Sequence, residues 1–220
     1  ARAEGGFLYT ESIEGFSVDA ERLADQLKIA VLAERNASIE PYIDTIPAEY
    51  TAEHARADTQ LITEFSTSFK SATYGKANRV FNIAKAAELI DGTTIAPGEE
   101  FDMNAILGPR NAENGWKEAT GIRDAVYVQE YGGGVCQVSS TLYNAVLMAD
   151  LRVTDRTHHS WPLGYVDIGR DATISTGGPN FKFQNTQEVP ITIGAQTDKE
   201  KKKITISVYG RPLADGVTIQ

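Results

Sequence analysis

The 220-residue sequence contains a single cysteine and only three histidines, His54, His158 and His159. One cysteine cannot form an internal disulfide, so the redox compartment cannot be inferred from cysteine pairing. It also excludes a zinc site built mainly from thiolates, and the three histidines are a poor set of metal ligands. We therefore expect neither a metal ion nor a cofactor.

Positive charge and long apolar runs are also scarce. The sequence has 21 Lys and Arg against 30 Asp and Glu, which gives a formal net charge of -9. This balance argues against nucleic acid as a partner and against electrostatic attachment to anionic lipid. No apolar run reaches the roughly 18 residues of a membrane span, and the first residues, ARAEGGFLYTESIEG, have no initiator Met and no signal-peptide pattern. We expect the chain to be a segment of a longer protein.

A change of pattern near residue 60 predicts two parts, 1–60 and 61–220. In the first part, Leu23, Leu27 and Val31 recur at helical spacing, which predicts an amphipathic helix capped by Ser17 or Asp19. Residues 36–59 then contain two prolines and no sustained period. This stretch is typical of a linker.

The second part mixes helix and strand patterns. Strands are predicted in LITEFSTSF, EATGIRDAVYVQEY, YVDIGRDATIS and FKFQNT, and NRVFNIAKAAELIDG predicts a helix capped by Asn78 and ended by Gly92. TIAPGEEFDMNAILGP predicts a turn, a strand and a short helical piece, and VPITIGAQTDKEKKKITISVYG a C-terminal β-hairpin. CQVSSTLYNAVLMADL is apolar almost all round in its second half, so it predicts a buried helix. We therefore predict an α+β fold with a mixed or antiparallel sheet.

The lone cysteine, Cys136, stands at the start of that buried helix, directly after Gly132, Gly133 and Gly134 and one valine. The first helical turn has unpaired N–H groups and a positive dipole end, which favours a thiolate and can also hold an oxyanion. The glycines allow a substrate backbone to approach closely. Free cysteines are also often buried as small apolar side chains, so the residues alone leave a nucleophile and a core residue both open.

A nucleophilic cysteine needs a base, and the chain offers two adjacent histidines. We expect the pair to open the first strand after the helix, where neighbouring residues point to opposite faces, so at most one of His158 and His159 can face Cys136. Asp171 follows and can orient an imidazole as the third member of a triad. Solvent exposure with a structural hydrogen bond is the alternative role for this histidine pair.

Other polar side chains near these positions are candidates for substrate contacts. Arg156 and Arg170 flank the histidine segment and can each bind a carboxylate in bidentate fashion, although surface ion pairs are the commoner use of arginine. We assign Gln137, Arg156 and His158 to substrate binding together with the three glycines. The hydroxyls at 139–141 lie inside the predicted helix, where they more often bond back to the preceding turn than act as nucleophiles.

Six segments resemble, in order and spacing, the pattern of VanW-family proteins. They are EFSTSF, NRVFNIAKAAELIDGTTIAPGEEFDMNAILGPR, GWKEA, GGGVCQVSSTLYNAVLMADL, HSWPLGYVDIGRDAT and KFQNTQEVPITI. The resemblance covers about residues 62 to 210, and the block around Cys136 is highly specific. Residues 1–60 resemble, more weakly, the end of a peptidoglycan-binding module that often precedes this domain.

The resemblance implies an extracytoplasmic bacterial protein that acts at the cell wall and is commonly held at the membrane by an amino-terminal anchor. Some family members are linked to L,D-transpeptidase activity with the motif cysteine as nucleophile. Carried onto this sequence, that role falls on Cys136, and the His-Ser motif points to His159. Asp171 also lies on a family motif position. The order Cys, His, Asp is similar to the papain-like and transglutaminase-like arrangement, an analogy of fold only.

The implied reaction is acyl transfer on peptidoglycan stem peptides. Cys136 attacks the carbonyl between the third stem residue and its terminal D-alanine, and His159 protonates the departing amine. A second stem's amine then resolves the thioester into a cross-link, whereas water gives hydrolysis. The alternative is a non-catalytic wall-binding or scaffolding module linked to glycopeptide resistance. The sequence leaves the oligomeric state open.

Overall fold

A computed structural model describes residues 2–3, 6–33, 38–69, 77–123 and 126–214. The chain divides into two units, Ala1–Arg56 and Ala57–Gln220. The peptidoglycan-binding character predicted for residues 1–60 stays a prediction. Within the described ranges, no helix combines the length and apolar content needed to cross a membrane.

The first unit contains short strands and one long helix. Its elements are β1 (Arg2–Ala3), β2 (Gly6–Phe7), β3 (Gly15–Val18), α1 (Ala20–Leu32), β4 (Ile43–Ile46) and α2 (Ala52–Ala57), whose last residue belongs to the second unit. The predicted amphipathic helix is confirmed as α1, and Asp19 caps it by accepting a hydrogen bond from the Arg22 N–H at 2.9 Å. No residue of α1 is buried.

The second unit contains the remaining elements. They are β5 (Gln60–Ser68), α3 (Ala77–Ile90), β6 (Thr94–Ile95), β7 (Glu100–Asp102), α4 (Met103–Leu107), β8 (Glu118–Arg123), β9 (Val126–Tyr131), α5 (Val135–Met148), β10 (Arg152–Arg156), β11 (Phe181–Gln184), β12 (Ile191–Asp198) and β13 (Lys203–Gly210). The strands form a four-stranded sheet in the order β5-β13-β12-β6, a three-stranded sheet β10-β11-β7 and the hairpin β8-β9. These pairings are antiparallel, which confirms the α+β class, and β12 with β13 forms the predicted C-terminal hairpin.

The core of this unit is built around α5. Its predicted apolar positions are all buried: Val138, Leu142, Ala145, Val146 and, directly after the helix, Ala149. They share one hydrophobic cluster with residues of α3 and of β12 and β13. Burial of an apolar helix against a sheet is the main source of stability for such an element. The first turn of α5 is therefore held by the packing of the rest of the helix.

Two details of the sequence prediction are wrong. YVDIGRDATIS is not a strand, since within it only Thr173 forms an isolated bridge, to Thr157. The histidine pair accordingly follows β10 instead of opening a strand. Asn78 does not cap α3; it lies in the first turn, and its side-chain amide donates to the Glu118 carbonyl at 2.9 Å.

Candidate functional site

The second unit carries a cleft of about 1180 Å³ at the amino end of α5. Cys136 and His159 both line it, as do the three glycines that precede the helix. Its walls also include the β8-β9 hairpin, the start of α3 and the loop through Thr173. The structure thus brings the predicted nucleophile, the predicted base and the glycine turn to one place.

Each glycine of the turn is required for a different physical reason. Gly132 and Gly134 have φ angles of +80° and +109°, a region that side chains rarely adopt. Gly133 has an ordinary φ, but a Cβ there would stand 2.5 Å from the carbonyl oxygen of Ala119 on β8. The turn is therefore a close backbone contact as well as a wall of the cleft.

Asn82 fastens this turn to the neighbouring elements. Its fully buried side chain donates to the carbonyls of Gly133 and Lys117, at 3.1 and 2.8 Å, and accepts from the Lys117 N–H at 3.0 Å. Three hydrogen bonds from one side chain leave the turn little freedom. The role of Asn82 could not be predicted from the sequence, because a polar residue on a helix carries no local sign of a distant partner.

The Cys136 side chain lies half-buried at the start of α5. Its Sγ is 3.4 Å from the Ile174 carbonyl oxygen and 3.8 Å from the Thr173 hydroxyl. The N–H groups of Val135 and Gln137 are taken by the carbonyls of Gly132 and Gly134. Among the described residues, the Cys136 N–H has no such partner. That group is available to an oxyanion, as expected for the first turn of a helix.

His159 is oriented by Asp171. The carboxylate Oδ2 accepts hydrogen bonds from the His159 ring Nδ1 and from its backbone N–H, each at 2.6 Å. Both side chains are about nine-tenths buried, with 8% and 10% exposed. Arg156 holds the other carboxylate oxygen at 3.1 Å and the Asp171 carbonyl at 2.7 Å. A bond at Nδ1 leaves Nε2 as the nitrogen that can exchange a proton with a reacting group.

Cys136 and His159 shift each other's pKa. Burial by itself raises the pKa of the thiol, but a hydrogen bond and charge from His159 outweigh burial and hold the pKa below its ordinary value. Burial likewise lowers the pKa of His159, while Cys136 and Asp171 together raise it. The Cys136 Sγ also contacts the Thr173 hydroxyl and the Ile174 carbonyl oxygen directly. The two shifts favour a thiolate beside an imidazolium.

The polar face of α5 fixes the loop that carries Asp171. Ser139 donates to the Ala172 carbonyl at 2.6 Å, and Ser140 accepts from the Ala172 N–H at 3.0 Å. Asn144 donates to the Arg170 carbonyl at 2.7 Å. Both serines also bond back to the Cys136 carbonyl, as expected for hydroxyls inside a helix. These side chains place the carboxylate relative to the thiol.

The three remaining residues predicted to bind substrate differ in their positions relative to the cleft. Gln137 lines the cleft but is almost completely buried, with 1% exposed, so its side chain contacts neighbouring protein groups more than solvent. Arg156 does not line the cleft, because its guanidinium is committed to Asp171 and to the Gly169 carbonyl. His158 is exposed outside the cleft, with Nδ1 at 2.8 Å from the His159 carbonyl. The geometry gives no support to substrate contacts by Arg156 or His158.

Arg170, the other candidate for a substrate carboxylate, also lies outside the cleft. Its Nε donates to Asn144, and its guanidinium stands over the Phe65 ring. In the described ranges, no group of three or more His, Cys, Asp and Glu side chains is placed to hold a metal ion. The arrangement is suited to acid, base and nucleophile chemistry by the chain's own residues.

Several residues of the cleft had no role predicted from the sequence, among them Arg79, Arg110 and Tyr165. Burial and the nearby Cys136 raise the pKa of Tyr165, although Ser140 and Arg79 oppose the shift. All three lie within the quoted family segments, but they are distant from Cys136 along the chain. Only the folded topology brings them together.

Comparison with known proteins places the chain in a family. Residues 78–209 match the family model described as VanW-like protein, so the chain belongs to the VanW family. An uncharacterized protein, YoaR, from Bacillus subtilis strain 168 is 40% identical over 142 residues, covering 64% of this chain and 46% of YoaR. The vancomycin B-type resistance protein VanW of Enterococcus faecalis strain ATCC 700802 / V583 is 30% identical over 143 residues, covering 63% and 50%. The chain thus spans about half the length of these relatives. No solved structure matches it significantly.

Proposed function

We propose that this VanW-family chain remodels bacterial peptidoglycan by cysteine-dependent acyl transfer on stem peptides, in the manner of an L,D-transpeptidase. The observation that carries the proposal is the convergence of Cys136, His159 and Asp171 in and beside one cleft. The resistance named for the Enterococcus relative supports an extracytoplasmic role at the cell wall. We propose the same location for this chain, held at the membrane by an amino-terminal anchor.

In the first half-reaction the Cys136 thiolate attacks the carbonyl that links the third stem residue to the terminal D-alanine. A C–S bond forms, and the oxyanion that develops on the carbonyl oxygen accepts a hydrogen bond from the Cys136 N–H. The C–N bond then breaks, and the imidazolium of His159 gives its proton to the departing amine. Free D-alanine leaves, and a thioester remains on Cys136.

In the second half-reaction His159 is neutral and takes a proton from the side-chain amine of a second stem. The amine attacks the thioester, the C–S bond breaks, and the product is a cross-link between two stems. Asp171 keeps the imidazole in one tautomer and stabilises its charged form through both steps. Water in place of the amine gives a shortened stem, so product analysis separates transfer from hydrolysis.

Release of D-alanine from tetrapeptide-stem muropeptides tests the proposal. We expect Cys136→Ala to reduce the rate to background and His159→Ala to reduce it about a hundredfold or more, since the latter loses general acid and base catalysis. His158→Ala is the matched control, because that neighbouring ring lies exposed outside the cleft. If wild type and Cys136→Ala release D-alanine equally while both still bind sacculi, the chain is a non-catalytic wall-binding module and the proposal fails.

The pH dependence of alkylation tests the thiolate separately from the reaction. A free cysteine has a pKa of about 8.5 and reacts poorly with iodoacetamide at about pH 6. Because His159 lowers the pKa of Cys136, we expect modification at this pH, lost only as the pH falls further. In His159→Ala the midpoint should move to higher pH. A thiol that reacts only after unfolding would contradict the thiolate.

A further inference from the structure

Arg79 presents an unused hydrogen-bonding group near the nucleophile. Its Nη2 donates to the Gln137 side-chain oxygen at 2.8 Å, whereas Nη1 is buried and has no hydrogen-bond partner in the described part of the chain. An arginine has five N–H donors, and leaving buried ones unpaired is costly. Arg79 lines the cleft. The unsatisfied donors therefore indicate a partner that arrives with a ligand.

Gln137 keeps this guanidinium in place. The Gln137 amide donates to the Thr67 hydroxyl at 3.0 Å, and Thr67 is linked to Thr141 of α5 at 2.8 Å. Both threonines are buried. Arg79 is thus held at one Nη by a chain of buried hydrogen bonds, which leaves the other Nη in a fixed position. Gln137, which was predicted to bind substrate, is therefore placed to act as a positioning residue for Arg79.

The glycine turn makes room for Arg79 and for a second arginine. A Cβ at Gly134 would stand 2.8 Å from Cγ of Arg79, and a Cβ at Gly132 would stand 2.7 Å from Cγ of Arg110. Arg110 donates to the Gly108 carbonyl and to the Asn104 side-chain oxygen, both neutral acceptors. Each arginine stem therefore packs against a glycine directly before α5.

The charges around the two arginines differ. Burial lowers the pKa of Arg79, opposed by the charges of Tyr165 and Cys136, and no described carboxylate forms an ion pair with it. Arg110 interacts electrostatically with Cys136 and Glu130. The acidic residues that line the cleft, Glu118 and Glu130, belong to the β8-β9 hairpin. Arg79 is therefore the cation of the cleft with the strongest demand for an anion.

We infer that Arg79, assisted by Arg110, binds a carboxylate of the substrate next to the acyl group that Cys136 attacks. A guanidinium recognises a carboxylate by charge-assisted, paired hydrogen bonds. The inference rests on the proposed function and specifies its substrate class as peptides with a free carboxylate adjacent to the scissile bond. The terminal D-alanine of a tetrapeptide stem meets this requirement, whereas a C-terminally amidated stem does not.

Alkylation with a charged and a neutral reagent tests the carboxylate site without the enzymatic reaction. Cys136 is the only cysteine of the chain, so no other thiol competes. The measured quantity is the ratio of second-order rate constants for iodoacetate and iodoacetamide at one pH. We expect this ratio to fall about tenfold in Arg79→Gln, the effect of losing one charge-assisted contact, and to be largely kept in Arg79→Lys. The exposed Arg152→Gln on β10 is the matched control, with an unchanged ratio.

Two results would overturn the inference. If the rate constants for iodoacetate and iodoacetamide fall by the same factor in Arg79→Gln, Arg79 acts only on the thiolate. If neither rate constant changes, Arg79 acts neither on the thiolate nor on the carboxylate of the reagent. Release of D-alanine from free stems and of D-alaninamide from C-terminally amidated stems then separates the two levels of proposal. Equal release from both stems overturns the carboxylate site and leaves the acyl transferase standing. A ratio that depends on Arg79, with no release from any stem, supports the carboxylate site and overturns the reaction.

Discussion

The helices α1 and α5 are almost equal in length, 13 and 14 residues, and in both of them apolar residues recur at helical spacing. Their surroundings are opposite. Ten residues of α5 are buried, whereas none of α1 is buried and its Leu27 and Val31 are exposed. A helical period predicts that an element forms, because 3.6 residues per turn gathers apolar side chains on one face. It does not predict what covers that face.

The difference has a consequence for chemistry. A nucleophile at the amino end of α5 is held by a helix whose other turns cannot move without opening the core. Substrate-positioning groups must stay within about half an ångström of the productive geometry, which favours sites on packed elements. The helix α1 gives no such support, since none of its residues is buried.

Truncating one leucine in each helix should show the difference in burial between α1 and α5 most clearly. Leu142 is fully buried in α5, and we expect Leu142→Ala to lower the free energy of unfolding by about 3 kcal/mol through lost burial and a cavity. The matched change, Leu27→Ala, removes a side chain that is 49% exposed and should cost about 0.5 kcal/mol. Urea denaturation of the whole chain measures both. Equal losses would mean that the Leu27 face of α1 is covered as well.

Adding one methyl group to the glycine turn should have the next largest effect. In Gly133→Ala the new Cβ meets the Ala119 backbone, which cannot rotate away, so we expect a loss of about 2 kcal/mol and a displaced Cys136. Gly164 has no atom within 4 Å of an added Cβ and no positive φ, which makes Gly164→Ala the control, with a change within about 0.5 kcal/mol. Slower alkylation of Cys136 in Gly133→Ala alone would report the displacement.

An unchanged stability in Gly133→Ala would contradict the tight turn. It would mean that β8 can retreat from the glycines, and the turn would then be a flexible wall of the cleft. The alkylation rate distinguishes this case, because a retreating hairpin leaves Cys136 in place.

Much of this site could be predicted from local sequence. The buried positions of α5 follow from its apolar pattern, and Cys136 at the helix start follows from three glycines that interrupt any helix before it. The choice of His159 over His158 came from the family motif, and the structure places His159 on Asp171. Local pattern and motif were sufficient where the relevant partners are close in sequence.

The segment that was predicted wrongly as a strand and the cleft residues that were missed depend on distant partners. The segment 165–175 alternates like a strand, but several of its backbone groups bond to Ser139, Ser140 and Asn144 of α5 and not to another strand. Arg156 holds Asp171, while its predicted contact with substrate stays a prediction, and Arg79 was not predicted at all. An arginine shows no local sign of whether its carboxylate will come from the protein or from a ligand.

The smallest expected effect compares two helix caps of the same kind, Asp102 of α4 and Asp19 of α1. Each accepts a hydrogen bond from a backbone N–H three residues on, at 2.9 Å. Burial tends to raise the pKa of Asp102, but hydrogen bonds from Asn180, Lys182 and the Ala105 N–H outweigh it and lower the pKa to about 2. We expect Asp102→Ala to cost about 1 kcal/mol at neutral pH, allowing for solvent screening of this partly exposed group. Asp19→Ala should cost less than about 0.5 kcal/mol, since α1 buries no residue.

The pH dependence of the Asp102 contribution follows from the direction of its pKa shift. Because the pKa is lower in the folded chain than the roughly 3.9 of an unfolded aspartate, the contribution is present above about pH 4 and is lost as the pH falls toward 2. Urea denaturation of wild type and Asp102→Ala across this range should therefore show converging stabilities. A gap that stays constant down to about pH 2 would mean that the Asp102 side chain stabilises α4 without its charge. The cap would then depend on packing with Asn180, and the distinction between the two caps would rest on contacts alone.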